Sequence, residues 1–362
     1  MVLAISCGCS PADGSLPVVA RGRYVEIATL RDEPICGGTA RYFDRFIESG
    51  MALLGEVPPD RRFVRFEWLM PPAEQLSVTG VGRTRRVPGG SLITSDDSLV
   101  HEHELAHAIH LEALPNTNGF LQEGFAILLD SKRIYRDMVW PEGESIDRVI
   151  SEVPFSYDDY PLAWFLVSQI VRDHGFDGLA RFWRAVEPRA TAAEVRAAYQ
   201  AMFGPPIDAL VEPIEFEDPV YGHYDEVRHP CNFSLCLAEP ETLVDGAWEA
   251  SGPTDCEDDP DAVGPDRRWY LPEFGDVWRQ QVLSTGDAAY FDISASANVA
   301  MELTPCSLDC GYVGNGSSEF GFDAEAFWLG ADRSFRVEVR ASLEDLPTQD
   351  PGTLHVEAVS PY

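Results

Sequence analysis

The chain has 362 residues, 45% of them hydrophobic, which suits two globular domains with cores of their own. It contains no apolar run of about eighteen residues, so a membrane-spanning helix of ordinary length is excluded. Acidic residues outnumber basic ones 60 to 27, and a net charge of -33 disfavours nucleic acid, which is not expected as a partner because phosphates would be repelled.

In chain order, MVLAISCGCSPADG comes first: a short apolar piece, two small-residue-flanked cysteines and a polar tether. It resembles the lipobox of bacterial lipoproteins and implies export, with Cys7 or Cys9 as a point of lipid attachment to a membrane. Residues 1–21 are therefore assigned to a signal remnant or tether. GRYVEIATL (22–30) predicts a strand and TARYFDRFIESGMALL (39–54) a helix, its aromatic and aliphatic positions recurring every three or four residues. RFVRFEWLM (62–70) alternates as a strand, and a short strand is expected at Ser91–Thr94. Asp96, Asp97 and Ser98 offer an N-cap to the helix LVHEHELAHAIHLEAL, and FLQEGFAILLDSKRIY follows as a second helix. YPLAWFLVSQIVRDHG and FDGLARFWRAV are further helices, and Thr191-x-x-Glu194 opens another with a capping box. A few strands followed by a run of helices define an α+β domain over 22–214.

Residues 215–230, rich in proline and acid, predict a linker. Beyond it, RWYLPEF, WRQQVLS, AAYFDISAS, VAMELT, EAFWLG, FRVEVRAS and TLHVEAVS are strand-like and separated by turn residues. No helix intervenes, so 231–362 is expected to be an all-β sandwich, accessory to the first domain. Six cysteines lie in the folded body, an even number with irregular spacing that suits disulfides in an oxidising compartment. The expected pairs are Cys306–Cys310, Cys236–Cys256 and Cys36–Cys231.

The chemistry concentrates in HEHELAHAIH (101–110), which contains the pattern H-E-x-x-H. Residues four apart on a helix differ by about 40° in direction, so His103 and His107 face one point and can share a zinc ion at roughly 2.0–2.1 Å. Glu104 stands beside them as a general base, able to take a proton from zinc-activated water and pass it to a leaving amine. His101 points about 160° away from His103 and is expected to face solvent. His110 shares the direction of His103 but lies about 10 Å along the axis, and is expected to pack or hydrogen-bond behind the site. A third ligand must come from elsewhere. The extension H-x-x-G-x-x-H is absent, since His110 and Ala113 occupy its last two positions. Glu123 on the next helix is the leading candidate, with Glu112 and Asp130 behind it.

HELAH, a loop and then F-L-x-E-G-x-A resemble the gluzincin branch of zinc metallopeptidases, whose bacterial members often read W-L-x-E-G-x-A in the second helix. The resemblance implies a zincin-like α+β catalytic domain, Glu123 as third zinc ligand, and small residues at Gly124 and Ala126 where helices cross. YPLAWFLV at Tyr160 resembles the family's Y-x-x-A-x-x-F helix, with Leu166 at the final position, and implies a tyrosine that stabilises the oxyanion; Tyr157 is the rival. GGSLIT resembles the edge strand along which such enzymes lay a peptide. Thermolysin-like members carry an aspartate four residues after the glutamate ligand, where this chain has Ile127. The group orienting the histidines is therefore unassigned between Asn116, Asn118 and a backbone carbonyl.

The expectation is an exported, monomeric, zinc-dependent peptidase acting on peptides or proteins. The rival readings are a surface-binding lipoprotein with an idle peptidase unit, or a zinc hydrolase of another substrate.

Overall fold

A computed structural model of the protein describes residues 16–69, 82–96, 98–114, 118–130, 146–151, 159–211, 233, 235–266, 277–287, 290–295, 300–306, 324–328, 333–341 and 353–359. The N-terminal cysteines, the 215–230 linker, RWYLPEF and Tyr157 lie outside these residues. The first half is α+β. Strands β1 (Val18–Arg21), β2 (Val25–Thr29), β3 (Val64–Trp68), β4 (Arg83–Val87) and β5 (Gly90–Ser95) form one sheet in the order β1-β2-β3-β5-β4. β2, β3 and β5 run parallel, and the two outer strands are antiparallel to them.

Alternation sorts the strand side chains. Val25, Ile27, Val64, Phe66, Trp68 and Ile93 are buried on the face that meets the helices. Glu26, Arg65 and Glu67 take the other face, where Arg65 bonds both carboxylates at 2.8 Å. Three sequence expectations change here. Val18–Arg21 is a paired strand rather than tether, because V-V-A-R aligns with β2. The strand at Ser91–Thr94 is interior, between β3 and β4, so it is not the edge. The edge is β4, R-T-R-R-V, whose charges conceal its strand character. A two-residue turn at Pro88-Gly89, with Gly89 at φ 89°, folds it back on β5.

The helices are α1 (Thr39–Leu53), α2 (Glu102–Ala113), α3 (Gly119–Leu129), α4 (Ile146–Ile150), α5 (Tyr160–Ala185) and α6 (Ala192–Phe203). α2 starts at Glu102 with His101 as its N-cap residue, later than the expected cap residues suggest. The Ser98 hydroxyl is committed elsewhere, to the Val100 carbonyl and the Asp266 carboxylate. α3 ends at Leu129, short of the expected length. α5 kinks at Gly175 (φ 70°), which divides the two helices expected there. The capping box of α6 forms as expected, with Thr191 and Glu194 bonding each other's backbone N–H.

The second half comprises β6 (Glu241–Thr242), β7 (Ala247–Ser251), β8 (Val277–Ser284), β9 (Tyr290–Ala295), β10 (Ala300–Pro305), β11 (Ala324–Trp328), β12 (Ser334–Ala341) and β13 (Thr353–Val359). They form two four-stranded sheets, β10-β12-β8-β6 and β11-β9-β13-β7. Trp248, Phe291, Ile293, Leu354 and Val356 of one sheet meet Leu283, Phe335, Val337 and Val339 of the other in a shared core, as in a sandwich.

Among the described residues one covalent tie joins the two halves. Among the described residues the disulfides are Cys36–Cys256 and Cys236–Cys306, so none of the three expected pairings forms. Sequence spacing misled because the loop around Cys256 folds back onto the start of α1, where its carbonyl accepts from the Gly37 N–H (2.7 Å). Beside this tie, β12 is buried on both faces. Its apolar side chains enter the sandwich core, while Arg336, Glu338 and Arg340 face the first half and are at most 3% exposed. Arg336 reaches Glu102 at the start of α2 (2.9 Å) and the Tyr42 hydroxyl (3.1 Å). Tyr42 donates to Glu102, and Glu338 bridges Arg336 and Arg340. The Trp278 ring meets Tyr42 edge-on at 4.9 Å. The second half is thus packed into the first rather than appended to it.

Replacing Arg336 by leucine leaves Glu102 buried without its cation, while Glu338 keeps Arg340. Stability is expected to fall by about 3–5 kcal/mol, read as a lower midpoint in denaturant unfolding. The same change at exposed Arg23 should cost less than about 1 kcal/mol.

Candidate metal centre

α2 presents His103 and His107 one turn apart, and α3 brings Glu123 against them. The two Nε2 atoms are 3.1 Å apart, and Glu123 Oε2 lies 3.3 Å from His103 Nε2 and 3.4 Å from His107 Nε2. Ligands on a tetrahedral zinc with bonds of roughly 2.0–2.1 Å stand about 3.3 Å apart. Two imidazole nitrogens and a carboxylate oxygen at these separations can hold a metal ion.

The electrostatics agree. Burial would lower the His103 pKa, but the hydrogen bond and charge of Glu123, helped by Glu104 and Asp130, raise it to about 9. Burial would raise the Glu123 pKa, yet His107 and His103 hold it well below the ordinary carboxylate range. The pocket favours positive charge where the three atoms meet.

His107 has a partner behind it. Its Nδ1 lies 3.1 Å from His110 Nε2, and the His110 ring rests on Trp183 at 5.3 Å. Burial keeps the His110 pKa well below its ordinary value, so the ring stays neutral and can accept the Nδ1–H bond. That bond turns Nε2 of His107 toward Glu123. The orienting group left open by Ile127 is therefore, for His107, another histidine. The i,i+3 spacing that makes neighbours on a helix was the available signal. Of the groups expected to fill this role, Asn118 sits buried at the N-cap position of α3 and Asn116 lies outside the described residues.

Glu104 is buried next to the triad, and its Oε2 accepts from the Thr84 hydroxyl at 2.7 Å. Thr84 belongs to β4, so the edge strand lies directly against the proposed base. Nothing in R-T-R-R-V indicated this contact. The Tyr160 ring, at the start of α5, stacks 6.1 Å from that of His103. Glu112 is not at the site; it pairs with Arg61 at 2.9 Å. Asp130 is the C-cap residue of α3. His101 does not face solvent as expected. It precedes α2 rather than lying on it, is half-buried, and packs under Gly82, where a side chain would collide with His101 and Glu104. Gly124 is small for the sake of α5, since a Cβ there would strike the Ala163 carbonyl and Val167.

Comparison of the chain with protein-family models, curated proteins and solved structures finds no match. The geometry stands on its own. Replacing His110 by phenylalanine keeps a ring against Trp183 but removes the acceptor. Affinity for a divalent ion is expected to fall about 10–100-fold, measured by chelator competition, with the far-UV circular dichroism unchanged.

Proposed function

We propose that the chain is an extracytoplasmic zinc-dependent peptidase of gluzincin type, with a zincin-like first half. The observation that carries this reading is the convergence of His103, His107 and Glu123 to within 3.4 Å beside the buried Glu104 carboxylate. A bound zinc ion supplies Lewis acidity, acidifying water and polarising a carbonyl. Glu104, its rotamer held by Thr84, removes the proton as the water oxygen attacks the carbonyl carbon. It returns that proton to the amine as the C–N bond breaks. Tyr160, whose ring stacks on that of His103, takes the role of donor to the oxyanion in this reading. β4 offers the substrate backbone an edge: among the described residues no strand pairs with its outer side.

Among the described residues two disulfides fit an oxidising compartment, and no helix is long and apolar enough to cross a membrane. Secretion with a lipid tether at Cys7 or Cys9 belongs to the same reading and rests on the N-terminal sequence alone. An intact Glu104 favours a working enzyme over an idle one.

The purified protein is expected to bind one zinc per chain and to cleave an unstructured protein. Glu104→Gln should keep the zinc and lose about 10²–10⁴-fold in kcat. Unchanged cleavage in that variant would remove Glu104 from the mechanism, and absence of zinc binding would remove the site.

A further inference from the structure

We propose that β4 selects extended peptides carrying acidic side chains at two alternate positions, held by Arg83 and Arg85. This deepens the peptidase reading and rests on it for the placing of the substrate along the edge. Gly82 and Thr84 both lie against Glu104, so Arg83 sits between two residues that touch the proposed base.

Strand alternation fixes where the side chains go. Thr84 and Arg86 turn toward α2, the one to Glu104 and the other to the Leu111 carbonyl. Arg83 and Arg85 therefore share the opposite sheet face, and both are exposed. Their row neighbours explain why they remain available. Arg85 stands opposite Leu92, and Leu92 opposite Arg65; Arg83 stands opposite Thr94, and Thr94 opposite Glu67. The carboxylates of that face, Glu26 and Glu67, are both bonded to Arg65. Among the described residues no carboxylate pairs with Arg83 or Arg85.

An edge strand carries charge to deter unwanted pairing, but acid would do that equally well. In a chain with 60 acidic and 27 basic residues, acid is also the common choice. Three arginines in four positions beside the site therefore call for a partner. A strand added to β4 sets alternate side chains about 4.5–5.5 Å from those of Arg83 and Arg85 at Cβ. Glutamates there meet guanidinium groups, and arginines meet like charge. The negative charge of the whole molecule is screened beyond about 10 Å at 0.1 M salt, so the discrimination is local and belongs to dissociation more than to association.

The probes are three fluorescent peptides identical except at two alternate positions, as Glu-x-Glu, Gln-x-Gln and Arg-x-Arg. Binding to the full chain is measured by anisotropy, with hydrolysis followed in parallel. The Glu peptide is expected to bind about three- to tenfold more tightly than the Gln peptide. The double variant Arg83→Gln/Arg85→Gln should abolish that preference without changing the unfolding midpoint. Equal binding of the Glu and Gln peptides, or a preference that survives in the double variant, would overturn the proposal. Preference without hydrolysis supports the docking and overturns the peptidase reading. Hydrolysis without preference does the reverse.

Discussion

The candidate site depends on how closely α3 approaches α5. Gly124 lies where the α3 backbone meets the Ala163 carbonyl, and any side chain there would force the helices apart. Glu123 is the preceding residue, so a displacement at Gly124 would carry it away from two nitrogens now 3.3 and 3.4 Å from its oxygen. A functional constellation tolerates errors of only about 0.5 Å. The same contact places Tyr160, one turn before Ala163, over the His103 ring. The pairing of E-G in one segment with Y-x-x-A in another is then a packing relation. Two small residues let two helices touch, and the residues beside them are delivered to one point.

A second constraint comes from the far end of the chain. β12 alternates apolar and charged side chains, a pattern that ordinarily means one wet face. Here the charged face is dry, because it meets Glu102, Tyr42 and Trp278. A buried ion pair is poor evidence of net stability, since desolvation offsets most of the attraction. Its effect is on register. Apolar surfaces tolerate sliding, but Arg336 displaced from Glu102 would leave two charges stranded in the interior. Glu102 immediately precedes His103, so the β half bears on the start of the helix that carries the site.

Legibility in the sequence followed the range of the interactions. The H-E-x-x-H face, the α6 capping box and most strands were readable because each is set by residues within one or two turns. His110 was placed behind the site by angle and rise alone. Failures arose where distant segments decide. β4 has no apolar alternation and is a strand because β5 pairs with it. Asp96, Asp97 and Ser98 look like a cap, but the Ser98 hydroxyl goes to Asp266, far along the chain. The disulfides join loops that only the folded chain brings together. Fifteen pairings were open to six cysteines, and Cys36 found Cys256 because the loop at 254–264 packs on the start of α1. The spent face of β12 was invisible for the same reason.

The covalent tie and the charge network lie on one line. Cys36 lies three residues before α1, and Tyr42, in the first turn of that helix, contacts Glu102 and Arg336. The disulfide spans 220 residues, so in the unfolded chain it closes a very large loop and limits how far the halves can separate. It supplies proximity without specifying angle, because a disulfide allows rotation about its bonds. The buried charges supply angle but would be weak alone, since each must be desolvated. Together they resist both separation and rotation of the halves at the start of α1, beside the first residue of the helix that carries His103 and His107. A hinge at this junction would have to break the charge network first.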